Sequence, residues 1–265
     1  MKAVAFFQRR RRSLVASSPE GQPCPSEGGG ISLEDVEVRR GTREVLSIAA
    51  LKMDEPRIGV IGDNGSGKST LLRLVNGLLL PNRGRVMTAG LNTALHRKEL
   101  LPGVGFLFQN PEHQLIFPTV GEEIAFGLTE RGLPAAQARE QAIALLKRHG
   151  CGADWVDRNV NELSGGQKQL VCILSVLATS PSIVLMDEPF ASLDLPTRRH
   201  LFRRIMALPQ QVVMASHDIE LLAEFDRVIW LEAGQVRADG RPADVIPAYR
   251  AHAMSAAAKD IVAAC

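Results

Sequence analysis

Cysteine is scarce in this 265-residue chain: Cys24, Cys151, Cys172 and Cys265 stand far apart, with no CxxC pair. That spacing excludes a disulfide framework and a cysteine zinc site, and it fits a reducing compartment. A basic domain is also lacking. The formal net charge is only +2, with +3 in residues 1–30 and −1 in the remainder, so composition argues against a nucleic-acid partner. Long apolar runs are absent apart from QLVCILSVLATSPSIVLM at 169–186, eighteen uncharged residues. Length alone would permit a span. ATSPS breaks this run into an apolar helix and a short strand, and Asp187 and Glu188 follow at once. The N-terminus carries Lys2 and Arg9 to Arg12 but no apolar core behind them. A targeting sequence needs that core, so the expectation for residues 1–30 is a flexible leader or a mis-assigned start.

The hydrophobic content of 45% with 5% aromatics fits an ordinary globular protein with a sizeable core, in one large α/β domain or two small ones. ISLEDVEV alternates apolar and polar residues as a strand does, Arg40, Gly41 and Thr42 make a turn, and EVLSIAALKM is a second strand region. RIGVIG is a short buried strand. TLLRLVNGLLL at 70–80 has helical spacing and stops at Pro81. The region from Thr119 to Gly150 is mostly helical, and after Glu162 helices and strands alternate to a last hairpin, RVIWLEAGQV. That alternation predicts an α/β fold with a mainly parallel sheet covered on both faces. No repeat of 20 to 50 residues is visible.

GDNGSGKST at 62–70 fits G-x-x-x-x-G-K-[ST]. Gly62, Gly65 and Gly67 free the backbone, with Asp63, Asn64 and Ser66 between them, so that N–H groups can wrap an anion at the N-terminus of a helix. Lys68 is then expected to reach the β/γ-phosphates and Ser69 to ligate Mg²⁺, with Thr70 next in the loop. A glycine turn before a helix is the bland alternative, and the strand-loop-helix context disfavours it. IVLMDEP ends a buried strand in two carboxylates, which is costly without compensation. Asp187 can hold Mg²⁺ through a water, and Glu188 can polarise an attacking water. ELSGGQKQ supplies a second helix N-terminus suited to an anion. One nucleotide does not need two on the same chain, so the second is expected to act on a nucleotide held by another subunit.

The phosphate loop, LSGGQ, DEP, SLD at 192–194 and MASHD, in that order, resemble the nucleotide-binding subunit of ATP-binding cassette transporters over residues 31 to about 240. The resemblance implies a P-loop NTPase with a small antiparallel N-terminal β region and a helical subdomain inserted at about 110–165; the tail after Gly240, a short C-terminal extension at 241–265, reads as one or two short helices. The resemblance also implies ATP and Mg²⁺ as ligands and ATP hydrolysis as activity. Gln109 becomes the switch glutamine near Mg²⁺ and the water. Leu163, Ser164, Gly165, Gly166 and Gln167 become the signature acting on the partner's nucleotide, Asp194 links the two sites, and His217 grips the γ-phosphate. The other histidines, at 96, 113, 149, 200 and 252, read as structural or surface groups.

FQNPEHQLIFPTVGEEIAFG at 108–127 looks like the ATPases of energy-coupling factor importers for vitamins and transition metals. That likeness implies a peripheral subunit on the cytoplasmic face of the cell membrane. Its partners would be a second ATPase subunit, identical or homologous, a transmembrane coupling subunit and a solute-binding membrane subunit. Glu122 and Glu123 are the candidates to receive an arginine of the coupling subunit, against the plainer reading of acids in a solvated first helical turn. The entry EPRIGVIGDNG and the segment LPQQVVMASHDIELLAEFDRVIWL resemble the biotin importers' subunit more than cobalt or nickel ones. One departure is that the aromatic residue that stacks on adenine in this family is replaced by Val38, followed by Arg39 and Arg40. An arginine plane can stack on a base, so Arg39 or Arg40 is the substitute, and GTP becomes a possible substrate. The rivals are a kinase or GTPase, which has no use for LSGGQ, a non-transport cassette ATPase on nucleic acid or ribosomes, and a silent scaffold.

Overall fold

The computed structural model describes residues 30–191 and 193–263, with side chains described through Ser255. Residues 1–29, where a leader is expected and Cys24 falls, together with Ser192 and Cys265, lie outside the described residues.

Two sheets organise the chain. The first holds β1 (Ile31–Arg40), β2 (Arg43–Met53), β4 (Arg83–Thr88) and β5 (Leu91–Asn92) in the antiparallel order β2-β1-β4-β5. Ile31 and Leu33 of β1 face the core at odd positions, Val36 and Val38 at even ones. The change of face falls at Asp35, whose φ of +48 lies inside the register shift between Glu34 and Glu37. A bulge of this kind re-aims every later side chain.

The second sheet holds β3 (Arg57–Ile61), β6 (Val104–Leu107), β7 (Ile183–Asp187), β8 (Gln211–Ala215), β9 (Arg227–Glu232) and β10 (Gln235–Gly240) in the order β10-β9-β3-β8-β7-β6. All pairs are parallel except the edge hairpin β9/β10. Its strands are buried on both faces: Val184 and Met186 join one core, Ile183 and Leu185 the other. The first core lies under α3 (Val120–Glu130), α4 (Ala135–Arg148), α5 (Gly165–Ala178), α6 (Leu195–Met206), α7 (Ile219–Leu222) and α8 (Pro242–Ala263). The second joins the central sheet to the antiparallel sheet, α1 (Lys68–Val75) and α2 (Arg97–Leu100).

One expectation needs correction. The helix anticipated at 70–80 starts at Lys68 and ends at Val75, because Gly77 takes φ +73 and turns the chain back well before Pro81. The C-terminal extension, expected as one or two short helices, is a single helix of 22 residues, α8, and Val245 and Ile246 bury it against the sheet.

Register fixes the working edge. Val60 pairs with Ala215, Asp187 with Ala215, and Leu107 with Met186. The residues that follow these strands, the 62–67 loop, Gln109, Glu188 and His217, therefore emerge together at the carboxyl ends of a parallel sheet, where ligands gather in such folds.

Candidate functional site: a nucleotide cleft

The loop between β3 and α1 depends on its glycines. Gly62, Gly65 and Gly67 adopt φ +148, +80 and +108. A Cβ at Gly62 would sit 2.2 Å from the Leu231 carbonyl oxygen. Within the loop the Ser66 amide donates to Asp63 O at 3.1 Å, and the Gly234 amide, from the β9/β10 turn, donates to Ser66 O at 3.1 Å. Lys68 Nζ folds back to Gly62 O at 2.6 Å and Asp63 O at 3.1 Å. The N-cap of α1 is Gly67, with no side-chain cap. The first-turn amides thus remain available to an anion.

Beside the loop, Ser69 Oγ donates to Asp187 Oδ1 at 3.0 Å. Among the described residues no group of three or more His, Cys, Asp or Glu side chains converges to hold a metal. One hydroxyl and one carboxylate do fit magnesium that shares its shell with phosphate oxygens and water.

Glu188 takes φ +49 although Pro189 follows it. A non-glycine residue rarely adopts the left-handed region, and strain of this kind concentrates at functional sites. The Glu188 amide donates to Ala215 O at 2.9 Å, which holds the bend against the next strand. Its Oε2 lies 2.8 Å from His217 Nδ1 and accepts the His217 amide at 3.3 Å.

The loop, Lys68, Ser69, Glu188 and His217 line one open cleft of about 1360 Å³, with Gln109. Arg40, one of the two residues expected to stack on the base, is in the wall, and beside it stand Arg43, Glu44, Arg73 and Tyr249, which were not anticipated. None of the three arginines is in an ion pair among the described residues, so the wall presents free positive charge to an anion. Arg39 is not part of it. Its guanidinium turns to Glu37, which Arg83 also engages, and Arg39 and Arg40, successive residues of β1 in unbroken register with Glu44 and Arg43, point to opposite faces of the strand. Of the pair offered for stacking, the structure brings Arg40 to the cleft. Tyr249, on α8, gave no signal in sequence because nothing local in the tail marks it.

The signature lies elsewhere. Leu163 is buried, and none of residues 163–167 lines the cleft. Ser164 and Gln167 form a capping box: Ser164 Oγ accepts the Gln167 amide at 3.4 Å and Gln167 Oε1 accepts the Ser164 amide at 2.9 Å. Gly166 packs so closely on α6 that a Cβ would fall 2.4 Å from Thr197 Cγ2. Asp194 caps α6, accepting the Thr197 amide at 3.0 Å and its hydroxyl at 2.9 Å. Those bonds hold its carboxyl below the usual range.

Glu122 and Glu123 both bond within their own chain. Glu123 is buried, and its Oε2 accepts the amides of Ile116 at 2.9 Å and Phe117 at 3.0 Å. Glu122 closes the capping box of α3 on Thr119. Both carboxylates thus serve their own chain. A sequence shows two acids in a first helical turn but not the preceding loop folding onto one of them.

Comparison with known proteins agrees with this geometry. Residues 47–191 match the family described as ABC transporter. The chain is 48% identical to the biotin transport ATP-binding protein BioM of Rhodobacter capsulatus over 86% of its own length and 97% of the relative's. The Rhizobium etli protein of that name is 44% identical over 83% and 97%. A solved structure of cbiO1 from Clostridium perfringens, part of the ABC transporter complex cbiONQ, superposes with a TM-score of 0.74 at 28% identity, over 83% of this chain and 92% of that one. The chain therefore belongs to the ABC transporter family, as one of its ATPase domains.

Proposed function

We propose that this chain is the energy subunit of an energy-coupling factor type importer, hydrolysing ATP to drive uptake of a vitamin, biotin first among them. One observation carries the mechanism: the phosphate loop, Gln109, Glu188 and His217 share a cleft from which residues 163–167 are missing, with Asp187 held behind it by Ser69. A complete site then needs the signature of a second cassette. Two cassettes would close head to tail over two nucleotides, with Asp194 and the capped N-terminus of α5 facing the partner's site.

Lys68 exchanges the carbonyls of Gly62 and Asp63 for the β/γ-phosphates, and Arg40 holds the base end of the cleft. Ser69, Asp187 and Gln109 would hold Mg²⁺, which neutralises phosphate charge when bound with ATP. Glu188 accepts a proton from the attacking water as the bond from that oxygen to the γ-phosphorus forms and the bridging bond to ADP breaks. His217, once it leaves Glu188, donates to the γ-phosphate. Closure is a population shift driven by contacts that ATP makes only in the closed state.

The output surface is the loop after Gln109. Ile116 is 68% exposed and Phe126 of α3 42% exposed, and Glu123 fixes the backbone that presents Ile116. A transmembrane coupling subunit would dock there, with a solute-binding membrane protein beside it. No described helix is long and apolar enough to cross a membrane, which suits a subunit held peripherally at the cytoplasmic face. Biotin is preferred over cobalt or nickel because the two biotin-named relatives are 48% and 44% identical, each over 97% of its own length.

Purification of the tagged chain in mild detergent, with labelled biotin uptake measured in cells lacking it, tests the proposal. Recovery of two membrane proteins and loss of uptake are expected. An active ATPase recovered alone or with ribosomes would overturn the transport reading and keep the cassette chemistry.

A further inference from the structure

We propose that Tyr249 is a positioning residue for nucleotide binding: its hydroxyl, carried by α8, holds the Asp63 side chain and thereby sets the phosphate-loop carbonyl on which Lys68 rests. This deepens the ATPase reading and rests on it.

Tyr249 Oη donates to Asp63 Oδ1 at 3.1 Å, across 186 residues of sequence, and the ring lines the nucleotide cleft. Asp63 is the node of the loop. Its carbonyl oxygen accepts both the Ser66 amide and Lys68 Nζ, each at 3.1 Å. Its side chain is exposed and receives no other hydrogen bond among the described residues. Without the tyrosine that side chain has no partner to order it, and an unordered loop residue must give up that freedom when nucleotide binds. The Gly234 amide fixes Ser66 from the neighbouring turn. The two clamps therefore grip adjacent parts of one loop from the C-terminal third of the chain.

The helix that delivers the hydroxyl is itself anchored. Trp230 meets Tyr249 edge-on with ring centroids 5.5 Å apart and His252 at 5.1 Å, and His252 Nε2 lies 2.6 Å from Glu232 Oε1. The ring alone satisfies this packing, so the hydroxyl is surplus to it and free to serve the loop. Burial, and secondly the bond to Asp63, push that hydroxyl up to about 12, so it stays a donor at working pH.

Calorimetry with ADP, which needs no turnover, and steady-state ATP hydrolysis on the full chain test the proposal. Y249F keeps the ring and should weaken ADP binding and raise KM about three- to tenfold, with kcat changed less than about twofold and Tm near wild type. D63A should match it, and the double variant should be no worse than either single one. Additive losses would mean that Tyr249 touches nucleotide directly and would overturn the positioning role, as would wild-type ADP affinity in Y249F. Wild-type protein that binds ADP but does not hydrolyse ATP would defeat the ATPase reading alone, and the ADP series would still decide the role of Tyr249.

Discussion

His217 Nδ1 and Glu188 Oε2 stand 2.8 Å apart, and the same oxygen accepts the His217 amide. No described residue donates to the other oxygen, so one lobe of the carboxylate is held and one is free to take a proton from water. Removing the carboxylate removes the base without touching the phosphate loop. Glu188→Gln should lower kcat by about 10²–10⁴-fold while ATP still binds and closed dimers accumulate. His217→Ala removes a donor aimed at the phosphate and should cost about 10²-fold. Phosphate release and size-exclusion profiles with ATP read both. Near-normal hydrolysis by Glu188→Gln would sink the assignment.

Arg40 and Arg39 are neighbours in sequence with different surroundings, one lining the cleft and the other turned to Glu37. An arginine stacked on a base contributes about 0.5–2 kcal/mol, so Arg40→Ala should weaken nucleotide binding by at least about twofold and narrow the difference between ATP and GTP. Arg39→Ala should leave both unchanged. Calorimetry with ADP and GDP distinguishes them, and equal effects at the two positions would remove the stacking role from Arg40.

The sequence is most legible where a local pattern carries the chemistry. GDNGSGKST and IVLMDEP each fix strand, turn and residue order within a few positions, so the loop, Ser69 and the two carboxylates could be placed before any fold was known. What stays hidden is long-range. Tyr249 reaches Asp63 across 186 residues, and no periodicity encodes that meeting. The left-handed Glu188 is equally invisible, because a glutamate before proline predicts extended backbone and only the pairing of its amide with Ala215 holds it otherwise. Helix ends failed at Gly77 because the apolar pattern runs on through Leu78, Leu79 and Leu80 after the backbone has already turned.

Glu123 and Glu122 separate docking from loop support. Glu123 accepts two backbone amides in a buried position, and stranding such donors costs about 1–3 kcal/mol. Glu123→Ala should therefore lower Tm and also loosen the loop that presents Ile116, so coupling to the membrane partner falls with stability. Glu123→Gln keeps an acceptor oxygen and should recover most of both. Glu122→Ala loses only an exposed capping contact and should change little. Thermal melts with co-purification check this, and lost partner binding in Glu122→Ala at unchanged Tm would return the docking role to Glu122.

Tyr249 is the chain's only tyrosine, so its ionisation can be followed alone by tyrosinate absorbance in the near ultraviolet. Burial first, then the hydrogen bond to Asp63, raise the hydroxyl from 10 to about 12. Between those values an unfolded chain gives up its proton while the folded chain keeps it, and rising pH therefore favours unfolding. The contribution is whole below pH 10 and is lost as pH approaches 12. Wild-type Tm should accordingly fall more steeply than that of Tyr249→Phe across this window, and tyrosinate should form late, in step with unfolding. A titration midpoint at the ordinary value in the folded protein would show the hydroxyl free of Asp63, and the two melting curves would then run parallel.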